Sequence, residues 1–388
     1  MQLNLSKFIS GVTASLILSS SLIASQILTE QRIEVLKLSN EKAAKDNDKL
    51  KIDWINAVNY NYIYSKDDKR GDSKKSIISI NQPIFKSGGI FSAIDYASNV
   101  KTSTKISLEL QKKELIKKAL NITYNIKKLD IQIQKQKLAI ANAIIDLKIK
   151  KESVFNGLLD ISFLNNSLIS KNAKQSALLD LEFSKKSLIN SLSSLSSLSY
   201  LDIELPVFQN ISKEEFEKNN IYIQKNSSDL KAKKNLTWMT TSKYLPTVNV
   251  NYTYTKDHTL DTTNDNYGFT VNIPLDIKSF DDSGASKISY LTAKKELEIF
   301  IIEQNNFLAT QNLKLEMLES KISLTSQNIS AYSKLLNQTK ELEDAGMKTS
   351  LDVEVLQNSK DAEKLNLEVF AIDKQIELLE IYSRVSND

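Results

Sequence analysis

Two segments of the chain alternate strictly between apolar and polar side chains. In residues 58–65 a valine and three tyrosines occupy every second position, and residues 248–255 repeat this arrangement with two valines and two tyrosines. A period of two over this length predicts a β-strand with one apolar and one polar face. Return strands that alternate in the same way follow at residues 78–81 and 267–273. Each pair of strands therefore predicts a β-hairpin.

The two hairpins are expected at residues 54–84 and 246–275, with polar loops at residues 66–75 and 256–266. Strands of roughly ten residues suit a tilted membrane-spanning strand. The alternative is an amphipathic hairpin packed on a soluble core, but no other segment of the chain could supply the covering layer.

The hairpins belong to an internal repeat. Residues 58–67 match residues 248–257 at seven of ten positions. Similar matches recur at offsets of 190–192 residues between 79–84 and 270–275 and between 159–167 and 351–359. Self-similarity at a nearly constant offset indicates a duplicated unit.

Long helices follow each hairpin. Residues 93–155 and 285–344 contain neither proline nor glycine, and the first stretch allows a helix of roughly 95 Å at about 1.5 Å per residue. A heptad line in the second stretch predicts a coiled-coil seam. It consists of Ile301, Leu308, Leu315, Ile322, Ile329 and Leu336.

The first long helix carries two such lines, which lie about 200° apart around its axis at about 100° per residue. One contains Ile126, Ile133, Ile140, Leu147 and Val154, and the other contains Tyr124, Ile131, Leu138 and Ile145. A helix with apolar lines on nearly opposite sides has a neighbour on each side. This predicts a wall or barrel of helices.

The domain organisation follows from these elements and from an apolar N-terminus that begins after Lys7. We expect a signal peptide at 1–24, a first structural repeat at 25–200, an equatorial connection at 201–225 and a second structural repeat at 226–388. Each repeat would hold a short helix, its hairpin and a long helical pair, at 93–200 or 285–384. The cleavage site stays open, and an uncleaved anchor is the alternative.

Composition narrows the function. The chain has 388 residues with only 8 Gly and 4 Pro, which suits long helices, and its net charge of +4 gives no support for nucleic-acid binding. It has no Cys and one His, His258, which lies in a polar stretch expected to be an exposed loop tip. No catalytic residues, metal site or cofactor are predicted, and the chain is not expected to be an enzyme.

Four strands cannot close on themselves around a lumen, and an open sheet cannot lie in hydrocarbon with unpaired edges. The chain must therefore oligomerise to form its membrane part, with eight, twelve or sixteen strands from two, three or four copies. The polar face would line water through Asn59, Asn61, Asn249 and Asn251. The lipid-facing surface and its aromatic girdle would comprise Trp54, Tyr60, Tyr62, Tyr64, Trp238, Tyr244, Tyr252, Tyr254, Tyr267 and Phe269.

Over nearly the whole mature chain, the sequence resembles the TolC-like outer-membrane efflux proteins. Beside the duplicated hairpins, the resemblance rests on residues 83–89 (Pro-Ile-Phe-Lys-Ser-Gly-Gly), 243–246 (Lys-Tyr-Leu-Pro) and 345–353 (Ala-Gly-Met-Lys-Thr-Ser-Leu-Asp-Val). It implies a mainly helical fold with a small β part, in which long antiparallel coiled-coil helices form an α-barrel. Two hairpins per chain would contribute four strands to an oligomeric transmembrane β-barrel of twelve strands in a homotrimer.

The resemblance also implies a function and partners. The chain would be the outer-membrane exit duct of a tripartite efflux or type I-like export system, with a long periplasmic extension in a Gram-negative-type envelope. Its partners would be further copies of itself, outer-membrane lipid, a periplasmic adaptor (membrane fusion protein) and an inner-membrane transporter. The alternative function is a periplasmic adaptor or a structural coiled-coil protein. The exported substrate and the class of pump stay open.

The family closes its periplasmic entrance at the last helical turn. The resemblance assigns this gate to Gly346, Lys348 and the pore-lining Asp352, while a second acidic ring is left open because Val355, next to Glu354, occupies its place. The corresponding residues in the first copy would be Gly157 and Asp160. Asp352 is also expected to stabilise a helix N-terminus, and the two roles are compatible. The first tip is expected to be shorter, since Asp160 lies three positions after Gly157 whereas Asp352 lies six positions after Gly346.

Overall fold

The computed structural model describes residues 27–68 and 71–386. The predicted signal peptide lies outside the described residues. The helices are α1 (Glu30–Ile52), α2 (Gly89–Phe155), α3 (Ile161–Ser193), α4 (Lys213–Asn219), α5 (Ile221–Ser242), α6 (Ser279–Asp344) and α7 (Ser350–Tyr382). The strands are β1 (Asn59–Asp67), β2 (Gly71–Phe85), β3 (Thr247–Asp257) and β4 (Thr262–Asn272).

The four strands form one antiparallel sheet in the order β1-β2-β3-β4. The two predicted hairpins are confirmed, and they pair with each other through β2 and β3. Strands β1 and β4 are the two edges, so each carries a row of backbone groups without a strand partner within the sheet.

The hairpin loops are much shorter than predicted. The expected loops at residues 66–75 and 256–266 were wrong, because β1 continues to Asp67, β2 begins at Gly71 and β4 begins at Thr262. The polar side chains of these residues indicated loops. At the water-exposed end of a β-ladder, however, residues with polar side chains can still form the backbone hydrogen bonds of a strand. Gly71, the first residue of β2, has a φ of +77°, a conformation that favours glycine.

One compact unit contains residues 111–220 and 305–386 together with residues 27–35. Within it, α2 has a different neighbour on each side. The ion pair between Asp130 and Lys185 joins α2 to α3 with 2.6 Å between Oδ1 and Nζ. On the other side, Lys128 Nζ lies 2.6 Å from Asp373 Oδ1 of α7. The interpretation of two apolar lines as two helix neighbours is confirmed.

Helix α7 in turn packs on α6, as shown by Lys374 Nζ at 2.7 Å from Glu319 Oε1. In this unit the helices therefore follow the order α3-α2-α7-α6. The buried positions of α6 in this region include Leu308, Gln311, Leu315, Leu318 and Thr325, which repeat by three, four and seven. They extend the predicted heptad line into a two-position seam.

The connection between the repeats contains a short helix and ends earlier than predicted. The expected connection at 201–225 is wrong at its C-terminal end, because α4 begins after the N-cap Ser212 and α5 begins at Ile221. Its extended part packs against α7, where Phe208 N donates to Gln375 Oε1 at 2.7 Å. The rings of Phe208 and Tyr382 lie 4.9 Å apart.

A second compact unit contains residues 36–110, of which 69 and 70 are not described, and residues 221–304. It holds the sheet, and α5 packs within it: Thr237 Oγ1 donates to Ser286 O of α6 at 3.1 Å. In the part of the chain that the structure describes, no helix is both long and apolar enough to cross a membrane.

Candidate channel surfaces

The strand register gathers the predicted lipid-facing residues on one face of the sheet. Tyr60 lies opposite Ile78, which in turn lies opposite Tyr254. In a second row Tyr252 lies opposite Tyr267, and in a third row Val250 lies opposite Phe269. Directly opposed residues share a face, so both hairpins present their aromatic side chains on the same side. Tyr62 and Tyr64 follow on this face by the alternation of β1. Most of these side chains are solvent-exposed in the single chain, reaching 83% for Tyr267.

The predicted water-facing asparagines share the other face. Asn251 lies opposite Asn81, and its Nδ2 donates to Thr270 Oγ1 of β4 at 2.7 Å. Asn59 and Asn61 follow on the same face through β1, and Asn249 follows through β3. The asparagines thus belong to one continuous surface of amides and hydroxyls. The apolar side chains on it include Ile63 and Ile77.

The three predicted girdle residues lie outside the strands. Trp54 follows α1, and Trp238 lies within α5. A Cβ added to Gly88 would lie 3.0 Å from the Trp238 indole Nε1, so the indole closely covers the backbone between β2 and α2. The Tyr244 hydroxyl donates to the Asp282 carboxylate at the start of α6.

The second helical turn joins α6 to α7. Gly346 has a φ of +73°, which favours glycine, and its N–H donates to Glu343 O at 2.8 Å. Thr349 then caps α7: Asp352 N donates to Thr349 Oγ1 at 3.4 Å, while Thr349 N donates to Asp352 Oδ2 at 3.0 Å. This reciprocal arrangement is a capping box. The expectation that Asp352 stabilises a helix N-terminus is confirmed.

Asp352 also lies near a cation. Lys348 Nζ is 3.9 Å from Asp352 Oδ1, and both side chains are partly exposed. The pKa of Asp352 lies below its ordinary value of 3.8, first because Thr349 donates backbone and side-chain hydrogen bonds to the carboxylate and then because Lys348 attracts it. Glu354 is exposed one turn into the helix. The predicted gate residues Gly346, Lys348 and Asp352 therefore form one local constellation.

The first turn, between α2 and α3, has the same backbone conformation at its glycine as the second turn. Gly157 has a φ of +71°, and its N–H donates to Val154 O at 3.0 Å. Asp160 is the N-cap of α3 and accepts a hydrogen bond from Ser162 N at 2.8 Å. Ser162 also lowers the pKa of the Asp160 carboxyl below its ordinary value.

The expectation of a shorter first tip is wrong. The N-cap lies three positions after the turn glycine in both tips, at Asp160 in the first and at Thr349 in the second. Asp160 is therefore equivalent to Thr349. The position of Asp352, three residues after the N-cap, is held in the first tip by Phe163. The sequence match at 159–167 had paired two aspartates that serve different positions of the cap.

Two features escaped the sequence analysis. The capping box had a local signal, since Thr349 and Asp352 stand at the spacing of a cap and its partner. The pairing of Lys75 with Asp257 across β2 and β3, at 3.5 Å between Nζ and Oδ2, had none. His258 is exposed in the loop after β3, as predicted, and its Nε2 lies 2.8 Å from Ser76 Oγ.

No protein-family model matches the sequence, and no curated protein matches it. Solved structures do match its fold. The outer membrane protein VceC of Vibrio cholerae is 14% identical, with a TM-score of 0.71 over 90% of this chain and 92% of that one. The outer membrane channel CmeC of Campylobacter jejuni is 12% identical, with a TM-score of 0.72 over 97% of this chain and 86% of that one. CusC, whose structures describe transmembrane channel formation, is 12% identical, with a TM-score of 0.71 over 98% and 93%. The chain therefore has the TolC-like fold that its sequence predicts.

Proposed function

We propose that this chain is a subunit of an outer-membrane channel that serves as the exit duct of a tripartite efflux or type I-like export system. Three copies would join their sheets into one twelve-stranded barrel in the outer membrane and their helices into a periplasmic tunnel. The observation that carries the proposal is the sheet itself, which has two opposite faces, one aromatic and one polar, and two open edges.

The sheet edges favour a ring of copies. In the order β1-β2-β3-β4, strands β1 and β4 run in opposite directions, so β4 of one copy can continue the antiparallel pattern with β1 of the next. A head-to-tail contact of this kind closes when the rotation between copies completes a circle. Closure satisfies the backbone groups of both edges, which hydrocarbon requires.

The helical unit supports the same arrangement by itself. Its outer helices α3 and α6 each keep an apolar stripe that no described residue of the single chain covers. On α3 the exposed members include Ile169, Leu179 and Phe183, and on α6 they include Leu313, Met317 and Leu324. Stripes of this size on opposite edges of a helical wall indicate contact with further copies.

The gate and the partners complete the proposal. The turn between α6 and α7 would form the periplasmic entrance, with Asp352 lining the aperture and Lys348 helping to hold it shut. A periplasmic adaptor would connect this end to an inner-membrane transporter, and the duct itself would conduct passively. The exposed Leu158 and Met347 at the two turns support a protein contact there.

Cysteine cross-linking tests the ring, because the chain contains no cysteine of its own. Asn61→Cys on β1 is combined in turn with each single cysteine along β4, and the membrane-inserted protein is oxidised. We expect at least one β4 position to give covalently linked dimers and trimers and no larger species. Links that continue beyond three chains, or no links at any position, would contradict the proposed trimer.

A matched control separates edge contacts from random collisions. Ser79→Cys lies opposite Asn59 on the central strand β2, so it shares the polar face but not the edge. Combined with the same β4 cysteines, it should give no links between chains. Equal yields from the β1 and β2 cysteines would mean that the edges do not meet.

A further inference from the structure

The polar face of the sheet carries almost no charge. Where all four strands run side by side, its residues are asparagine, serine, threonine, isoleucine, glycine and proline apart from Lys75 and Asp257. These two lie directly opposite each other at the loop end of β2 and β3, with Nζ 3.5 Å from Oδ2. Asp67 shares this face but lies beyond the four-stranded part, at the tip of the first hairpin opposite Gly71.

Several other charges near the loop end are on the aromatic face. Lys74 lies opposite Tyr64, whose hydroxyl donates to Asp72 Oδ2 at 2.8 Å. Lys256 pairs with Asp261 at 2.5 Å between Nζ and Oδ1. In a barrel whose polar face lines the lumen, these charges lie on the outer surface. Among the described residues, Lys75 and Asp257 are then the charges of the lumen wall where all four strands run side by side.

The geometry of Asp257 does not depend on Lys75. The Asp257 carboxylate accepts hydrogen bonds from Thr259 N at 2.9 Å and Leu260 N at 3.0 Å, which fix it within the loop after β3. Its side chain is 12% exposed, whereas that of Lys75 is 44% exposed. Lys75 has Ile63 opposite it on β1, so Asp257 is its cross-strand ionic partner. Removing the lysine charge would leave an intact carboxylate at the lumen wall.

We propose that Lys75 is a selectivity-determining residue of this channel, because it neutralises Asp257 and leaves the lumen wall without net charge where all four strands run side by side. An adjacent opposite pair produces a field that decays much faster than that of a lone charge, and at 0.1 M salt a lone charge acts over about 10 Å. The neutral wall would admit anions, cations and uncharged molecules alike. This inference rests on the proposed function, since it requires the polar face to line the lumen.

The test is the reversal potential of single channels in planar bilayers under a salt gradient. We expect Lys75→Gln to raise the cation-to-anion permeability ratio about three- to tenfold near 0.1 M salt and much less at 1 M. Asp257→Asn, whose amide oxygen can still accept the loop hydrogen bonds, should shift the ratio in the opposite direction. The double variant should return to the wild-type ratio.

Lys74→Gln is the matched control, because it removes the same charge from the neighbouring residue on the opposite face. It should leave the ratio unchanged. Conducting variants in which Lys75→Gln has no effect, or in which Lys74→Gln has the same effect, would overturn the role of Lys75 while the channel itself stands. If neither the wild-type protein nor Asp352→Ala conducts after insertion, the proposed function fails and this inference fails with it.

Discussion

The turn between α2 and α3 and the turn between α6 and α7 have the same backbone conformation at their glycines but carry different side chains. Both reverse the chain at a glycine with positive φ, and both place an N-cap three residues later. Lys348 and Asp352 in the second turn correspond by position to Leu159 and Phe163 in the first. The ion pair and the capping box are therefore additions to a turn that forms without them. The comparison teaches that the shape of the tip and its charge can be changed separately.

The largest expected effect comes from removing the charge that distinguishes the second tip. Asp352→Ala should open the entrance or reduce its ion selectivity. We expect several-fold higher single-channel conductance and a reduced cation preference. Asp352→Asn keeps an oxygen for the cap and should lose the cation preference with a smaller change in conductance. Planar-bilayer recordings measure both quantities.

Asp160→Asn is the control at the first tip. Its amide oxygen can still accept from Ser162 N, and the conductance and the ion preference should stay at wild-type values. If Asp160→Asn acts as strongly as Asp352→Asn, the gate is shared by the two tips and the comparison fails.

The second effect tests the common backbone. Gly157→Ala and Gly346→Ala each place a Cβ at positive φ and should each destabilise their turn by about 1–2 kcal/mol. Hydrogen exchange of the turn amides measures the loss locally. Gly284→Ala, in a helix and with no atom near the added Cβ, should be neutral or stabilising. A clear difference between Gly157→Ala and Gly346→Ala would show that the two turns are held differently.

A smaller effect isolates the cap of the second tip. Thr349→Ala removes the hydroxyl that accepts from Asp352 N and should cost about 1 kcal/mol of local stability. Thr349→Ser retains the hydroxyl and should cost much less. Exchange rates at the start of α7 distinguish the two variants, and equal losses would mean that the hydroxyl is not what stabilises the helix start.

The smallest effect is a pH dependence. The pKa of Asp352 is lowered on folding from 3.8, so its contribution to stability is complete at neutral pH and is lost as the pH falls below 3.8 through the lower folded value. Amide exchange near Thr349, corrected for intrinsic rates, should accelerate over this range. Asp352→Asn should abolish this component, and an unchanged acid dependence in that variant would assign it to another group.

Much of the fold was predictable because the spacing of apolar and polar side chains specifies the strands and the helices. The alternation around Tyr62 and Tyr252 specifies strands and faces, and the two apolar lines around Ile126 specify two helix neighbours. Loop bounds were not predictable in the same way. Residues 66–75 are polar whether their backbone forms a loop or a water-exposed ladder, so the pattern does not distinguish the two.

The same distinction applies to the sites: contacts between residues close in sequence were predictable, and contacts between distant residues were not. The Thr349 cap is a contact over three residues and has a local sequence signal. Lys75 and Asp257 lie 182 positions apart, and their pairing depends on β2 lying beside β3, which no periodicity reveals. The sequence match did not reveal that Asp160 is equivalent to Thr349, because identical residues in two segments do not show which residue caps the helix.

The central claim is that the polar face of the sheet lines a water-filled lumen while the aromatic face meets lipid. Single cysteines at Asn61, Asn251, Tyr62 and Tyr252 in the membrane-inserted protein test it directly by reaction with a charged maleimide. The account predicts rapid labelling at Asn61 and Asn251 and strong protection at Tyr62 and Tyr252. Equal labelling of neighbouring positions would contradict the barrel.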